Sequence, residues 1–393
     1  MLPDDLTPVL MSIFLISYFF IATALSLAIN YLLLKFSFNL GSRNNLVFKQ
    51  VRWTAHVKPS IGGISFFIIF LLSWGIYGFI SQERGIAPDK QIIGIVAATS
   101  LGFLAGLYDD AFNTNPLLKF ILQLSCGIIL ITFNVKINIS NLEFINILFT
   151  LVWVIGLMNS INMLDNMDGV TASISAFIIA GLIGVLAITG HAAFEFYMLI
   201  LIGVLGGLIG FLRFNWSPSK IFMGDTGSQF LGVFLAATSI LFLWQFNEGN
   251  QGLLQVKPFV LPALFFIIPI IDTTTVTVRR LLRGQSPFVG GKDHITHHFA
   301  YLGLKEKNIV FLLLATTFFS FPIALMLIKN PLFWNFYVSF GMLAYVVALF
   351  FVFQYFYKKG EMEQKKKRHD QRPIPKITKE SLAAFNEKMQ ANN

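Results

Sequence analysis

A single cysteine, Cys126, stands among 393 residues, and it lies inside an apolar run. A disulfide framework and a thiolate zinc site are therefore excluded, and the residue reads as a small buried hydrophobe. Charge is also scarce: 12% of side chains are Asp, Glu, Lys or Arg, against 55% hydrophobic ones, a balance too apolar for an ordinary soluble domain. No Gly/Ser-rich or Pro-rich linker divides the chain, and no fixed-period repeat is visible. Met1–Pro8 carries Asp4 and Asp5 where a signal peptide needs a basic region, and the first apolar run is long enough to stay as a span, so a retained N-terminus is expected.

What the sequence does have is long apolar runs. Each crossing of a hydrocarbon core about 30 Å thick takes about 20 residues. About eleven runs qualify: 9–34, 61–81, 91–108, 117–134, 145–163, 170–189, 195–212, 227–246, 259–278, 308–328 and 332–357. The fold class expected is all-α, a polytopic transmembrane bundle, with 1–357 as one membrane domain and 358–393 as a basic, solvated and disordered tail. The net charge of +9 falls in short loops and in this tail, which points to topology and not to nucleic acid. With the N-terminus outside and the C-terminus inside, one side collects Lys35 to Lys58, Lys119, Arg213, Lys220, Arg279 to Lys307 and the tail; the other keeps only Arg84, Lys90, Lys136, Lys257 and Lys329. That asymmetry sets the orientation.

Five polar segments abut inside ends of different spans: His56–Gly63 (HVKPSIGG), Gly106–Lys119 (GLYDDAFNTNPLLK), Asn159–Gly169 (NSINMLDNMDG), Phe222–Gly227 (FMGDTG) and Gly290–His298 (GGKDHITHH). A carboxylate at the hydrocarbon edge needs a cation, a metal or a watered cavity. Asp109 and Asp110 are adjacent like charges that read either as a solvated helix end or as a cation site, with Lys119 as counter-ion or topology lysine. Asn159, Asn162, Asp165 and Asp168 recur every three residues, a polar helical strip suited to an oxygen-ligated cation or a phosphate held through one; Asn159 also fits a purely structural role. Asp225, in a glycine-flanked turn, reads equally as a ligand and as the cap of the eighth span. Asp272, inside the ninth span just before Arg279, is read first as an ion-pair or packing residue. His294, His297 and His298 could hold zinc. With Lys292 and the basic loop around them, they suit an anionic diphosphate at least as well, through imidazolium and ammonium charge.

Together these motifs resemble the polyprenyl-phosphate N-acetylhexosamine-1-phosphate transferases, over about His56 to His298. The paired aspartates Asp109-Asp110, the basic Lys119, the Asn-x-x-Asn-x-x-Asp-x-x-Asp-Gly segment ending at Gly169 and the Gly224-Asp225 turn occur in the family's order. The resemblance implies transfer of a sugar 1-phosphate, GlcNAc-1-phosphate first, from a UDP-sugar to polyprenyl phosphate with release of UMP, on the cytoplasmic face of the plasma or inner membrane, in cell-envelope polymer assembly. It implies Mg²⁺, with Mn²⁺ as substitute, and is compatible with a homodimer. By position, Asp225 and Asp110 are implied as metal ligands, and Asp109, Asp110, Asp165 and Asp168 as the catalytic carboxylates. Lys119, Asn162, Phe222, Lys292, His294, His297 and His298 are implied as substrate-binding, Phe222 by stacking on uracil. Asn166-Met167 depart from a Gly-Leu kept in many relatives, and Thr296 from the middle histidine of a His-x-His-His loop. Two other readings stand beside this one: a UDP-MurNAc-pentapeptide donor, and a transporter, whose polar residues would belong near the bilayer midplane.

Overall fold

In a computed structural model the chain is described over residues 6–39, 58–83, 85, 89–190, 194–245, 256–286, 291–330, 332 and 334–370. Its helices are α1 (Leu6–Asn39), α2 (Gly63–Glu83), α3 (Lys90–Phe112), α4 (Pro116–Thr132), α5 (Glu143–Leu164), α6 (Val170–Thr189) and α7 (Phe194–Asn215). There follow α8 (Gly224–Phe242), α9 (Lys257–Phe265), α10 (Ile267–Leu282), α11 (Ile295–Tyr301), α12 (Glu306–Lys329) and α13 (Phe336–Asp370). Extended pairing among the described residues is confined to a parallel bridge between Ser60 and Phe222.

Each of the eleven expected apolar runs contains a helix. Among the described residues eight helices are long and apolar enough to cross a bilayer by themselves, and α9 with α10, bent by 86° at Phe266, makes a ninth. The protein is thus a multi-pass membrane protein. α4 has only 17 residues, while α8 is buried from Thr226 to Phe242 without a break. A helix wrapped wholly by protein needs no lipid-facing side. It can therefore carry Thr226, Ser228 and Gln229, which dilute its apolar character. At the α9–α10 bend, Pro269 falls in the first turn of α10, where its missing N–H leaves no helical bond unmade.

α8 is the hub, packed against α2, α3, α5 and α6, while α7 lies between α1, α2 and α6. Glycines let these backbones touch. A Cβ at Gly106 of α3 would stand 2.2 Å from the Asp225 carbonyl oxygen, one at Gly63 2.4 Å from the Gly227 Cα, and one at Gly232 2.5 Å from the Met158 Cα. Such close approach replaces the hydrophobic drive that helices lack in lipid. Phenylalanines fill the space beside it: Phe67 stacks on Phe103 at 3.7 Å, and Phe66, Phe70 and Phe234 surround Phe230.

The α3–α4 reversal is written in Asn113-Thr114-Asn115-Pro116. Asn113 ends α3 in the left-handed region at φ 52°, Asn115 caps α4 by accepting the Leu118 N–H at 2.8 Å, and Pro116 takes the first turn. The turn brings Lys119 back over Asp109. At the other end of the chain, the helix does not stop where the apolar run stops. α13 continues to Asp370, so residues 358–370, expected in the disordered tail, are helical; residues 371–393 lie outside the described ones, as does His56.

Gly106→Ala should lower the melting temperature of the detergent-extracted protein, because overpacking against a fixed backbone costs about 1–3 kcal/mol. Gly75→Ala, where a Cβ meets nothing within 4 Å, should leave it unchanged. Equal melting of the two variants would contradict the α3–α8 contact.

Candidate active site

The C-terminal ends of α3 and α5 and the N-terminal ends of α4 and α8 meet at one end of the bundle. There the Lys119 ammonium donates to Asp109 Oδ2 at 2.8 Å, to Asp225 Oδ2 at 3.0 Å and to Asn162 Oδ1 at 3.5 Å. Asn162 Nδ2 donates in turn to Asp225 Oδ1 at 2.7 Å and to Ser228 Oγ at 2.9 Å. Thr114 fixes the other oxygen of Asp109, its N–H at 2.8 Å and its hydroxyl at 2.6 Å. Four residues from three of the polar segments thus form one cluster. It is open enough to meet a ligand, the Lys119 and Asp225 side chains being 24% and 20% exposed.

Asp110 is used differently. Its Oδ1 accepts the Asp225 N–H at 3.0 Å, and its Oδ2 accepts the Thr226 N–H at 2.8 Å and hydroxyl at 2.6 Å. It therefore caps α8 from a neighbouring helix, satisfying amides that have no partner within α8. Asp225 is therefore not the cap of its own helix, which corrects one of its two readings, while Asp110, implied as a metal ligand, faces the start of α8.

The strip from Asn159 to Asp168 does not act as one surface. Asn159 exchanges hydrogen bonds with Gln123, at 2.8 and 3.3 Å, and Gln123 reaches on to Gln229 at 3.1 Å. That is the structural role left open above. Asp165 closes α5 as its C-cap. Asp168 is buried and accepts from the Ser219 N–H and hydroxyl, both at 2.8 Å, and from Lys58 at 3.3 Å. It clamps the segment before α8 to the α5–α6 turn. The Lys58 ammonium lies 5.0 Å from the centre of the Phe222 ring, so one face of the expected stacking residue is already covered.

The histidine group is built around a buried carboxylate from a different helix. Asp272 of α10 holds His294 Nδ1 at 2.8 Å with one oxygen and accepts the Ile295 N–H at 2.8 Å with the other. Its partner is thus a histidine, not Arg279. Arg280 grips Asp293 with two bonds of 2.8 and 2.6 Å. Burial pushes the Asp293 carboxyl up, but this fork outweighs it and holds the group below the ordinary carboxylate range. Burial, reinforced by His294, pushes His297 down to about 3; burial again pushes His298 down to about 4. Both are neutral at pH 7. The expected imidazolium charge is therefore absent at these two positions, and the loop's positive charge rests on arginine and lysine. Thr296 donates to Asn166 Oδ1 at 2.6 Å, so the two departures from the family pattern meet and join α11 to the turn holding Asp165.

Among the described residues no three His, Cys, Asp or Glu are grouped to hold a metal. Two carboxylates are nevertheless grouped around one cation, Asp109 and Asp225 around Lys119. Two is the number that Mg²⁺ commonly takes from protein when phosphates complete its shell. Residues 92–243 match the glycosyl transferase family 4 description. Over that segment the chain is similar to members of that family. It is 28% identical to a probable undecaprenyl-phosphate N-acetylglucosaminyl 1-phosphate transferase of Bacillus subtilis, over 71% of this chain and 75% of the relative. Identity is 28% to a decaprenyl-phosphate N-acetylglucosaminephosphotransferase of Mycolicibacterium smegmatis, over 66% and 69%. To a phospho-N-acetylmuramoyl-pentapeptide-transferase of Prochlorococcus marinus it is 29%, over 76% and 86%. The family match spans Asp109, Lys119, Asn162 and Asp225, whereas Asp272 and the histidine loop lie beyond it.

Two outcomes follow for the cluster and the histidines. Lys119→Met leaves Asp109 and Asp225 facing each other without their cation, so its melting temperature should fall and be restored by Mg²⁺ more than that of the unaltered protein. The additional substitution Asp225→Asn should abolish that rescue; rescue that persists would place the cation elsewhere. For the histidines the sign is that of a base held neutral. Between the ordinary value of 6.5 and the native value near 3 the unfolded chain binds more protons, so stability is complete above pH 6.5 and declines as pH falls through that window. Melting curves from pH 7 to 4 should show the decline, and His297→Gln should flatten it.

Proposed function

We propose that the protein transfers an N-acetylhexosamine 1-phosphate, GlcNAc-1-phosphate first, from a UDP-sugar to polyprenyl phosphate and releases UMP. The observation that carries this reading is the Lys119 ammonium shared by Asp109 and Asp225 at the common end of four helices. A lipid phosphate sits where hydrocarbon ends, and a nucleotide sugar arrives from water, so a reaction between them belongs at helix ends. A transported solute would instead be met near the midplane. Such a lipid substrate and such a transfer are also what the names of the GlcNAc-type relatives describe. The positive-inside asymmetry puts this end, and the C-terminus, in the cytoplasm of a plasma-membrane enzyme.

In the reaction, an oxygen of the lipid phosphate attacks the sugar-linked phosphorus, the bond from that phosphorus to the bridging oxygen breaks, and UMP leaves with the electron pair. Positioning and charge neutralisation dominate such transfers. Lys119 would neutralise phosphate oxygens by exchanging a carboxylate contact for them, while the Asn162 amide holds Asp225 in place. Thr114 holds Asp109, and Asp110 holds the backbone of Asp225, so that both carboxylates keep their aim. Asp109 and Asp225 would hold Mg²⁺, which supplies positive charge to the diphosphate when bound. His294, whose Nδ1 is committed to Asp272, has its Nε2 left to accept a proton or meet the donor.

The relatives divide on the donor's sugar and not on the chemistry, so the experiment is a choice between donors. Membranes containing the protein should exchange radiolabelled UMP into UDP-GlcNAc only when polyprenyl phosphate is present, and not into UDP-MurNAc-pentapeptide. Asp225→Asn should lower the exchange by about a hundredfold or more, the scale of losing one preorganised charged contact, in protein that still extracts folded. Label appearing in the muramoyl donor instead would reverse the choice of sugar, and exchange in neither would defeat the transferase reading.

A further inference from the structure

Between α10, α11 and the extension of α13 lies a polar cavity of about 670 Å³. Arg280, Arg283, Lys292 and Lys365 line it against Asp293 and Glu361, with Gln285, Ser286 and Gln364 as neutral donors. Arg280 and Asp293 neutralise one another through their tight fork. Glu361 is held far more loosely. Its oxygens lie 3.6 Å from Arg283, 3.7 Å from Arg279 and 3.4 Å from Lys365, all beyond the usual length of a charge-assisted bond. The cations it touches are not locked away, the Arg283 and Lys365 side chains being 44% and 73% exposed. Two polar atoms on the cavity's inner wall, His298 Nδ1 and Tyr357 Oη, are buried with no hydrogen-bond partner among the described residues. Buried polar atoms are rarely left so.

The position of the cavity along α13 matters as much as its charge. Tyr357 ends the apolar run, and Glu361, Gln364 and Lys365 follow it by one to two turns, about 6–12 Å further along a helix rising 1.5 Å per residue. The polar layer of a bilayer is about 5–8 Å thick on each side of its hydrocarbon core. The mouth of the cavity is therefore at headgroup depth, where anionic lipid phosphates are concentrated.

We propose that this cavity is a second anion site that takes a phosphate group at the membrane surface, and that Glu361 is the internal anion that the phosphate displaces. A phosphate entering between Arg283, Lys365 and Lys292 would replace the two long ion pairs of Glu361 with Arg283 and Lys365 by shorter charge-assisted bonds. Glu361 would turn outward on the exposed side of α13. The phosphate could belong to an anionic lipid headgroup or be free in solution; the chemistry of recognition is the same. The site is separate from the Lys119 cluster and does not rest on the transferase reading.

The test uses the full chain and reads binding. Native mass spectrometry counts phosphatidylglycerol retained on detergent-released protein, and melting curves in potassium phosphate against potassium chloride at matched ionic strength report the free anion. Glu361→Gln should tighten binding about fivefold or more, the scale of one like charge removed from about 4 Å away in a solvated site. Arg283→Gln and, independently, the exposed Lys365→Gln should weaken it by a similar factor. Asp225→Asn should leave it unchanged, so that an inactive enzyme still reports on this site. Retention of phosphatidylglycerol that follows this order supports a headgroup, and a phosphate-specific shift alone supports a soluble anion. Binding of both that is indifferent to Glu361 and Arg283 overturns the proposal.

Discussion

The N-terminus of α8 is buried inside the bundle, and buried amides need acceptors that water cannot supply there. Asp110 supplies them from α3. This requires the two backbones to lie almost in contact, which the missing side chain at Gly106 allows. Once that contact is made, Asp225 has no freedom of backbone position. Its carboxylate stands where Lys119 and Asn162 reach it. The acidic cluster is thus a consequence of how a buried helix begins. The rest of the bundle, from the Phe67–Phe103 stack to the Gln123–Asn159–Gln229 chain, keeps α3, α4 and α5 at the distance this beginning requires.

Much of this was legible in the sequence because lipid imposes simple periodicities. Apolar length marks a helix, and a polar residue at its end marks a face. What remained hidden are choices made by tertiary contact. Asp109 and Asp110 are adjacent and identical in type, but neighbours on a helix point about 100° apart. Only the location of α8 decides which carboxylate faces the cation and which faces backbone. Asp168 shares the three-residue spacing of Asn162, yet Ser219, in a segment with no periodic signal, takes both its oxygens. Asp272 sits in an apolar run with its partner 22 positions away, a pairing that no local pattern announces. The enclosure of α8 was hidden for the same reason: what surrounds a helix is not written in the helix.

The histidine loop shows how residue type and residue charge separate on burial. Three histidines, three arginines and a lysine between Arg279 and His298 suggest a cationic patch. Burial instead leaves His297 and His298 neutral and makes His298 a packing group: it stacks on Tyr357 at 3.6 Å, and the Arg279 guanidinium covers that same tyrosine ring at 3.9 Å. Charge is left to side chains that keep it whatever their surroundings, above all arginine. The loop can thus present fixed positive charge while its imidazoles stay available as neutral donors and acceptors.

The unbroken course of α13 joins the lipid to this loop mechanically. Its apolar part is about 22 residues, or about 33 Å, slightly longer than a typical hydrocarbon core, and its continuation packs Gly360 against the His298 backbone with no room for a side chain. A helix longer than the local bilayer tilts to hide the excess, and one matched to it stands upright. The lipid-facing run and the backbone beneath the histidines thus meet on one continuous helix, so the membrane-spanning part of α13 and the wall of the loop share a single rod.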